Sequence, residues 1–273
     1  MQIQPIGFIG AGNMTRSIIG GLVASGYSPE LIVASNPSME KLLALQDEFG
    51  IHITTDNDAV LAFADIVVMA VKPQIMADVL AALDSELIGD DKVFLSIAAG
   101  INVSRLMEMQ PAATKWVRAM PNTPSAIGKG MTGLFAGANV SEDERENCGE
   151  LLKAVGEIIW VGEEAKIDAV IAAAGSSPAY FFLFLEAMQA EAQNMGFNQR
   201  QARELVQQAM LGAAHMVIEN PDLELSQLRQ NVTSKGGTTA QAVDIFQQGG
   251  LSSLVSNAMQ AAVTRAKQMS EQF

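Results

Sequence analysis

The segment that most constrains the fold lies near the start of the chain. A short apolar run, Ile6-Gly7-Phe8-Ile9, passes through Gly10-Ala11-Gly12 directly into the helix-forming stretch that begins Asn13-Met14. A strand that turns on glycines straight into a helix is the setting in which a dinucleotide pyrophosphate is held. Gly10 permits the tight turn. Gly12 lets the backbone approach a phosphate with no Cβ in the way, and the helix aims its first amides and its dipole at the negative charge. Ile9, Gly10, Ala11, Gly12, Asn13 and Met14 are therefore the first cofactor-binding candidates. The third position of the fingerprint is Thr15 rather than Gly or Ala, a departure that a small residue still tolerates. Without its strand and helix, a Gly-x-Gly would read only as a structural turn.

The rest of the first half fits that beginning. Strand-like runs at 6–9, 31–34, 66–71, 93–97, 115–119, 131–136 and 158–161 alternate with amphipathic stretches such as 17–24, 39–49 and 59–64. Apolar strands alternating with helices predict a parallel, doubly wound α/β sheet. Asp56 and Asp58 stand where they can cap the helix over 59–64. After residue 162 the strand signal stops. Helical stretches follow at 166–174, 179–195, 199–219, 225–230, 240–247 and 251–269, separated by Gly, Asn and Pro breaks. The expected division is 1–162 as a dinucleotide-binding domain and 163–273 as an all-helical domain. Hydrophobic residues are 49% of 273 and aromatics only 5%, a mix suited to helices packed closely on a sheet or on one another.

Charge and cysteine content exclude several functions. The net charge of −13 argues against nucleic acid and anionic membranes as partners. A single cysteine, Cys148, excludes an intramolecular disulfide and a cysteine metal cluster. His52 and His215 have no partner at metal-ligand spacing, the 15 methionines read as core filler, and no metal is expected. The N-terminus lacks a basic segment followed by a long apolar run, and the apolar stretch at 169–188 reads as cut by Gly175-Ser176-Ser177-Pro178. A cytoplasmic, non-membrane protein is the expectation.

Three further segments fall where a cofactor would pass. The end of the second strand reads Ala34-Ser35-Asn36-Pro37-Ser38, with no carboxylate to hold a ribose 2′-hydroxyl or to repel a 2′-phosphate. Ser35, Asn36 and Ser38 can donate hydrogen bonds there, and the helix start after Pro37 attracts an anion, which favours NADPH, with NADH as the second option. The same residues also favour a plain turn. Ala70, Val71, Lys72 and Pro73 end one strand and open a helix. Ala98 and Ala99 end another, where small residues let a nicotinamide ring pass. Lys72 reads equally well as a solvated strand-end lysine.

A second glycine turn, Val232-Thr233-Ser234-Lys235-Gly236-Gly237-Thr238-Thr239, precedes the helix expected from residue 240. Exposed amides and three hydroxyls there can cradle a small anion. A glycine break with a threonine cap explains the same residues.

Together these segments resemble pyrroline-5-carboxylate reductase along nearly the whole chain. The marks are the Gly7–Met14 turn, Ala70-Val71-Lys72-Pro73, Arg118-Ala119-Met120-Pro121-Asn122-Thr123-Pro124, Gly175 to Tyr180, and Val232 to Ala240 with Val243 and Asp244. The resemblance implies an N-terminal Rossmann domain, a helical C-terminal dimerisation domain, and reduction of 1-pyrroline-5-carboxylate to L-proline with NADPH. It implies a homodimer, with assembly into a decamer as the larger form. It assigns catalytic roles to Thr239 and Ser234 and substrate contacts to Glu164, Gly237, Thr238 and Thr239. Asn57 and Asn231 become cofactor contacts. Two residues depart from the pattern: Lys235 stands where Pro is frequent and Ser177 where Gly is. Two rival readings share the architecture. A 3-hydroxyacid dehydrogenase would use Lys166 as acid or base, and a non-enzymatic NADP sensor would need no second anion site.

Overall fold

The computed structural model describes residues 4–272. The first half alternates strands and helices: β1 (Ile6–Ile9), α1 (Asn13–Ala24), β2 (Ile32–Ser35), α2 (Met39–Phe49), β3 (His52–Thr54), α3 (Asn57–Phe63), β4 (Ile66–Met69) and α4 (Pro73–Ala81). It continues with β5 (Val93–Ser96), α5 (Val103–Met109), β6 (Trp116–Met120), β7 (Gly130–Ala136), α6 (Glu142–Lys153) and β8 (Gly156–Trp160). The strands form one sheet in the order β3-β2-β1-β4-β5-β6-β7-β8. Neighbours are parallel from β3 through β6. β7 runs antiparallel to β6, and β8 parallel to β7.

Every residue of β1, β2, β4 and β5 is buried, as a parallel sheet covered on both faces requires. The period-two alternation divides these residues between two cores. Phe8, Val68 and Leu95 pack with Ile18, Ile19 and Leu22 of α1 and Leu151 of α6. Ile9, Met69 and Phe94 pack on the other face with Val60 of α3, Met76 of α4 and Trp116. The Trp116 Nε1 donates to the Ala113 carbonyl at 2.7 Å, so its polar end is satisfied inside that core.

The strand at 52–54 falls in the Ile51-His52-Ile53-Thr54 run, which is strand-like in the sequence though not one of the apolar runs. It is an edge strand of three residues, its His52 is exposed, and it alternates rather than running apolar. The cap of α3 is as expected for Asp56, which accepts from the Asp58 amide at 3.0 Å, but the helix already starts at Asn57, so Asp58 is helical and its carboxylate accepts from the Asp84 amide instead.

The second half is helical: α7 (Lys166–Val170), α8 (Ser177–Asn194), α9 (Gln199–Glu219), α10 (Leu225–Asn231), α11 (Thr238–Gln248) and α12 (Leu251–Gln272). One expectation is corrected here. Gly175-Ser176-Ser177-Pro178 does not cut the apolar stretch, because a π-turn over Ile171–Gly175 carries the helix through from α7 to α8. Ser176 N–H donates to the Ile171 carbonyl, five residues back. Pro178 is the second residue of α8, where a missing N–H is tolerated. The acceptor that Pro178 cannot serve is the Ala174 carbonyl, four residues back. Asn122 Nδ2 donates to it at 3.0 Å and Ser177 Oγ at 3.2 Å. The helix over Lys166–Asn194 is consequently long and apolar enough, by length and composition, to cross a membrane.

By its internal contacts the chain forms two compact units. One runs to Pro178 and takes back the chain from Ala261, and the other is Ala179–Gln260.

Candidate active site

The glycine turn after β1 leads directly into the N-terminus of α1. Gly10 has φ +111°, and a Cβ there would meet the Ala70 carbonyl oxygen at 2.6 Å, so both its conformation and the neighbouring strand end demand glycine. Gly12 is different: a Cβ there would meet nothing within 4 Å. Packing does not require glycine there, and the space beside it is open. Gly12 is the N-cap of α1 and has no side chain capping the first amides, which stay free to donate. Thr15 proves a good substitute at the third position. It is fully buried and its hydroxyl donates to the Gly10 carbonyl at 2.7 Å, tying helix to turn.

A cleft of about 380 Å³ runs from this turn along the ends of β2 and β4. Ile9, Gly10, Ala11, Gly12, Ser35, Asn36, Asn57, Ala70, Val71 and Lys72 line it, so ten of the expected cofactor residues come together. Asn13 and Met14 open α1 and Pro73 opens α4. Ala98 and Ala99 follow β5. Asn231 ends α10 in the other unit, where its side-chain oxygen accepts from Gln227.

Two features of the cleft bear on the dinucleotide. The Ser35 side chain is not free to meet a ribose phosphate, since it is fully buried and its hydroxyl donates to Asn57 Oδ1 at 2.7 Å. Asn36 Oδ1 accepts from the Ala11 amide at 3.3 Å and so shapes the turn. What faces the cleft beyond them is Ser38, the N-cap of α2 with no side-chain capping bond, and Lys41. The sequence reading missed Lys41, although its position one turn after Ser38 on the same helix face was a usable signal.

Glu164 and Arg118 form the second constellation in this unit. One carboxylate oxygen of Glu164 accepts from the Val103 amide and from Arg118 Nη1, both at 2.8 Å. Arg118 is 5% exposed on β6 and requires that counter-charge. Burial pushes the nearby Asp168 carboxyl above its ordinary range, while Arg118 and Lys267 pull it back. Lys166 is exposed at the start of α7. No group of His, Cys, Asp or Glu among the described residues is arranged to hold a metal.

In the other unit, the second glycine turn ends on the N-terminus of α11. Gly237 is the N-cap, its amide bonded to the Ser234 carbonyl at 3.0 Å, and no side chain caps the helix. Thr238 and Thr239 are exposed, and they are the first two helical residues rather than residues preceding the helix. Ser234 is also exposed. Its Oγ would stand 2.6 Å from a Cβ on Gly237, so glycine is required for the hydroxyl to lie against the turn.

With this geometry in view, the relatives are informative. Residues 164–269 match the family model for pyrroline-5-carboxylate reductase dimerisation, and residues 5–100 match that for NADP oxidoreductase, coenzyme F420-dependent. The chain is 54% identical to pyrroline-5-carboxylate reductase of Vibrio alginolyticus over the full length of both. It belongs to the pyrroline-5-carboxylate reductase family. A solved pyrroline-5-carboxylate reductase from Coxiella burnetii is similar at TM-score 0.93 and 40% identity, covering 98% of this chain and 99% of that one. The Plasmodium falciparum pyrroline carboxylate reductase solved with NADP bound is similar at TM-score 0.86 and 28% identity, covering 99% of each. The family places an NAD(P)-binding sheet before a helical dimerisation domain, which is the order found here.

Proposed function

We propose that the chain reduces 1-pyrroline-5-carboxylate to L-proline with NADPH, as a cytoplasmic homodimer able to assemble further. Kinship over the whole length with pyrroline-5-carboxylate reductases carries this reading. The cradle at Gly10 and Gly12 fits a dinucleotide pyrophosphate, and NADPH supplies a hydride when bound there. The division of labour is 1–162 for the cofactor and 163–273 for substrate and subunit contact.

The residues suit a reaction that needs orientation more than strong acid–base groups. A cyclic imine takes a proton readily, and the iminium carbon is then electrophilic. Addition of a hydride and a proton across C=N gives the amine. The amides of Thr238 and Thr239 bind the substrate carboxylate at the start of α11, beside Gly237, whose own amide is held by the Ser234 carbonyl. The Thr239 hydroxyl orients the ring nitrogen, with Ser234 beside it. Lys41, Ser38 and the α2 N-terminus receive the 2′-phosphate, and Asn57 supports them through Ser35.

The test is turnover of 1-pyrroline-5-carboxylate followed by NADPH oxidation, for wild type and Thr239→Ala. Losing one hydrogen bond to a charged group costs about 1.5–3 kcal/mol, roughly ten- to hundred-fold in kcat/KM. NADPH affinity should stay unchanged. Wild-type protein that oxidises no NADPH with this substrate overturns the proposal. A variant that only melts earlier would make Thr239 a helix-start residue and nothing more.

A further inference from the structure

We propose that Glu164 is a positioning residue for hydride transfer, holding the Ala98–Asn102 turn in place through the Val103 amide and Arg118. This rests on the reductase reading above.

The turn lies where position matters. Ligands of open α/β sheets sit at the carboxyl ends of the strands. Ala70, at the end of β4, lines the cofactor cleft, and β5 is the next strand, with Met69 opposite Ser96. The Ala98–Asn102 turn leaves β5 there and enters α5 at Val103.

The start of α5 is held by two side chains with different reach. Asn102, its N-cap, accepts from the Arg105 amide, a local bond three residues long. The Val103 amide is instead taken by Glu164, 61 residues away, at 2.8 Å. The same oxygen meets Arg118, whose neighbour across the sheet is Ser96, the last residue of β5. Glu164 therefore joins the far end of the turn to the strand beside its near end. On its other side the turn is packed tightly: Gly100 has φ +79°, and a Cβ there would come within 2.9 Å of Met269 on α12. A turn so clamped is fixed on both sides, and releasing one clamp lets it shift. Displacements of about 1 Å cost on the order of a hundred-fold in rate when reacting groups must be aligned.

The clamp can be opened from either end. Glu164→Ala removes the acceptor, whereas Glu164→Gln keeps an oxygen for Val103. Val103→Pro removes only the donor. Proline is accommodated at the first residue of a helix, and Asn102 already has the extended conformation, ψ 164°, that precedes a proline. Val103→Ala controls for the lost side chain.

The experiment measures single-turnover hydride transfer at saturating 1-pyrroline-5-carboxylate, NADPH dissociation constants and melting temperatures. Glu164→Ala and Val103→Pro should each slow transfer about tenfold, and the double variant should be no slower than either alone. Val103→Ala should stay within roughly threefold of wild type, as should every NADPH dissociation constant, and Glu164→Gln, which keeps an oxygen for Val103, should transfer hydride faster than Glu164→Ala. The proposal is overturned if Glu164→Gln is as slow as Glu164→Ala while Val103→Pro is normal, since charge and not the clamp is then what counts. It is equally overturned if the variants melt earlier but transfer hydride at the wild-type rate. Failure of the reductase reading looks different, because wild-type protein then shows no transfer at all.

Discussion

At the residue scale, the cofactor end was only partly legible in the sequence. Gly10 and Gly12 could be read directly, because the need for glycine is written in the residue itself. Ser35 could not. A serine at a strand end looks like a donor to a ligand, and only the pleat decides that its hydroxyl turns inward to Asn57. Lys41 was overlooked because its contribution depends on which face of α2 lines the cleft. Lys41→Ala tests the corrected view. A lysine on a phosphate makes a charge-assisted bond of about 1.5–3 kcal/mol, and exposure favours the lower end. NADPH binding should weaken about tenfold, with the effect shrinking as salt rises, while NADH kinetics hold steady. Equal losses for both dinucleotides would remove Lys41 from 2′-phosphate recognition.

At the element scale, helices and strands were legible wherever periodicity ruled, and boundaries slipped where distant side chains intervened. The helix α2 (Met39–Phe49) and the helix α9 (Gln199–Glu219) have the bounds the sequence predicts, each stopped by local chemistry. The joint at Gly175-Ser176-Ser177-Pro178 looked like a break because proline forfeits a helical bond. Of the two compensating donors, Ser177 is a neighbour in sequence but the shorter bond comes from Asn122, 52 residues away, which no local pattern reveals. The same asparagine accepts from the Met131 amide at 2.9 Å, so it links β7 to the π-turn. Asn122→Ala should destabilise the fold by about 1–3 kcal/mol in urea unfolding, the cost of stranding partly buried partners. Pro178→Ala restores an N–H for the Ala174 carbonyl. The loss from Asn122→Ala should therefore be smaller in that background, with a coupling of at least about 0.5 kcal/mol. Strict additivity of the two substitutions would show that Asn122 does not stand in for the missing proline donor.

At the scale of the whole molecule, the two units are unequal. The sheet unit buries its own core, whereas between Ala179 and Gln260 only Ala202 and Val206 are buried among the described residues. Phe181, Phe182, Leu183, Phe184 and Met188 of α8 are between 41% and 68% exposed, and Ile245 and Phe246 of α11 stay open as well. A helical segment that leaves so much apolar surface in water cannot offset the entropy of its own ordering. The sequence hinted at this through helices apolar on more than one face, but not at which residues would need covering, since that follows from the packing. A membrane would cover α8 alone, and the apolar surface extends to α11 on the same unit. A second copy covers both, in line with the dimerisation family matched by 164–269. Light scattering should then find a dimer or a multiple of it at micromolar concentration without detergent. Phe182→Asp should shift the population towards monomer and abolish reduction, while NADPH still binds within roughly threefold, because the cleft belongs to the sheet unit. A wild-type chain that remains a stable monomer, or a Phe182→Asp monomer that keeps full activity, would show that the exposed helices are not the subunit interface.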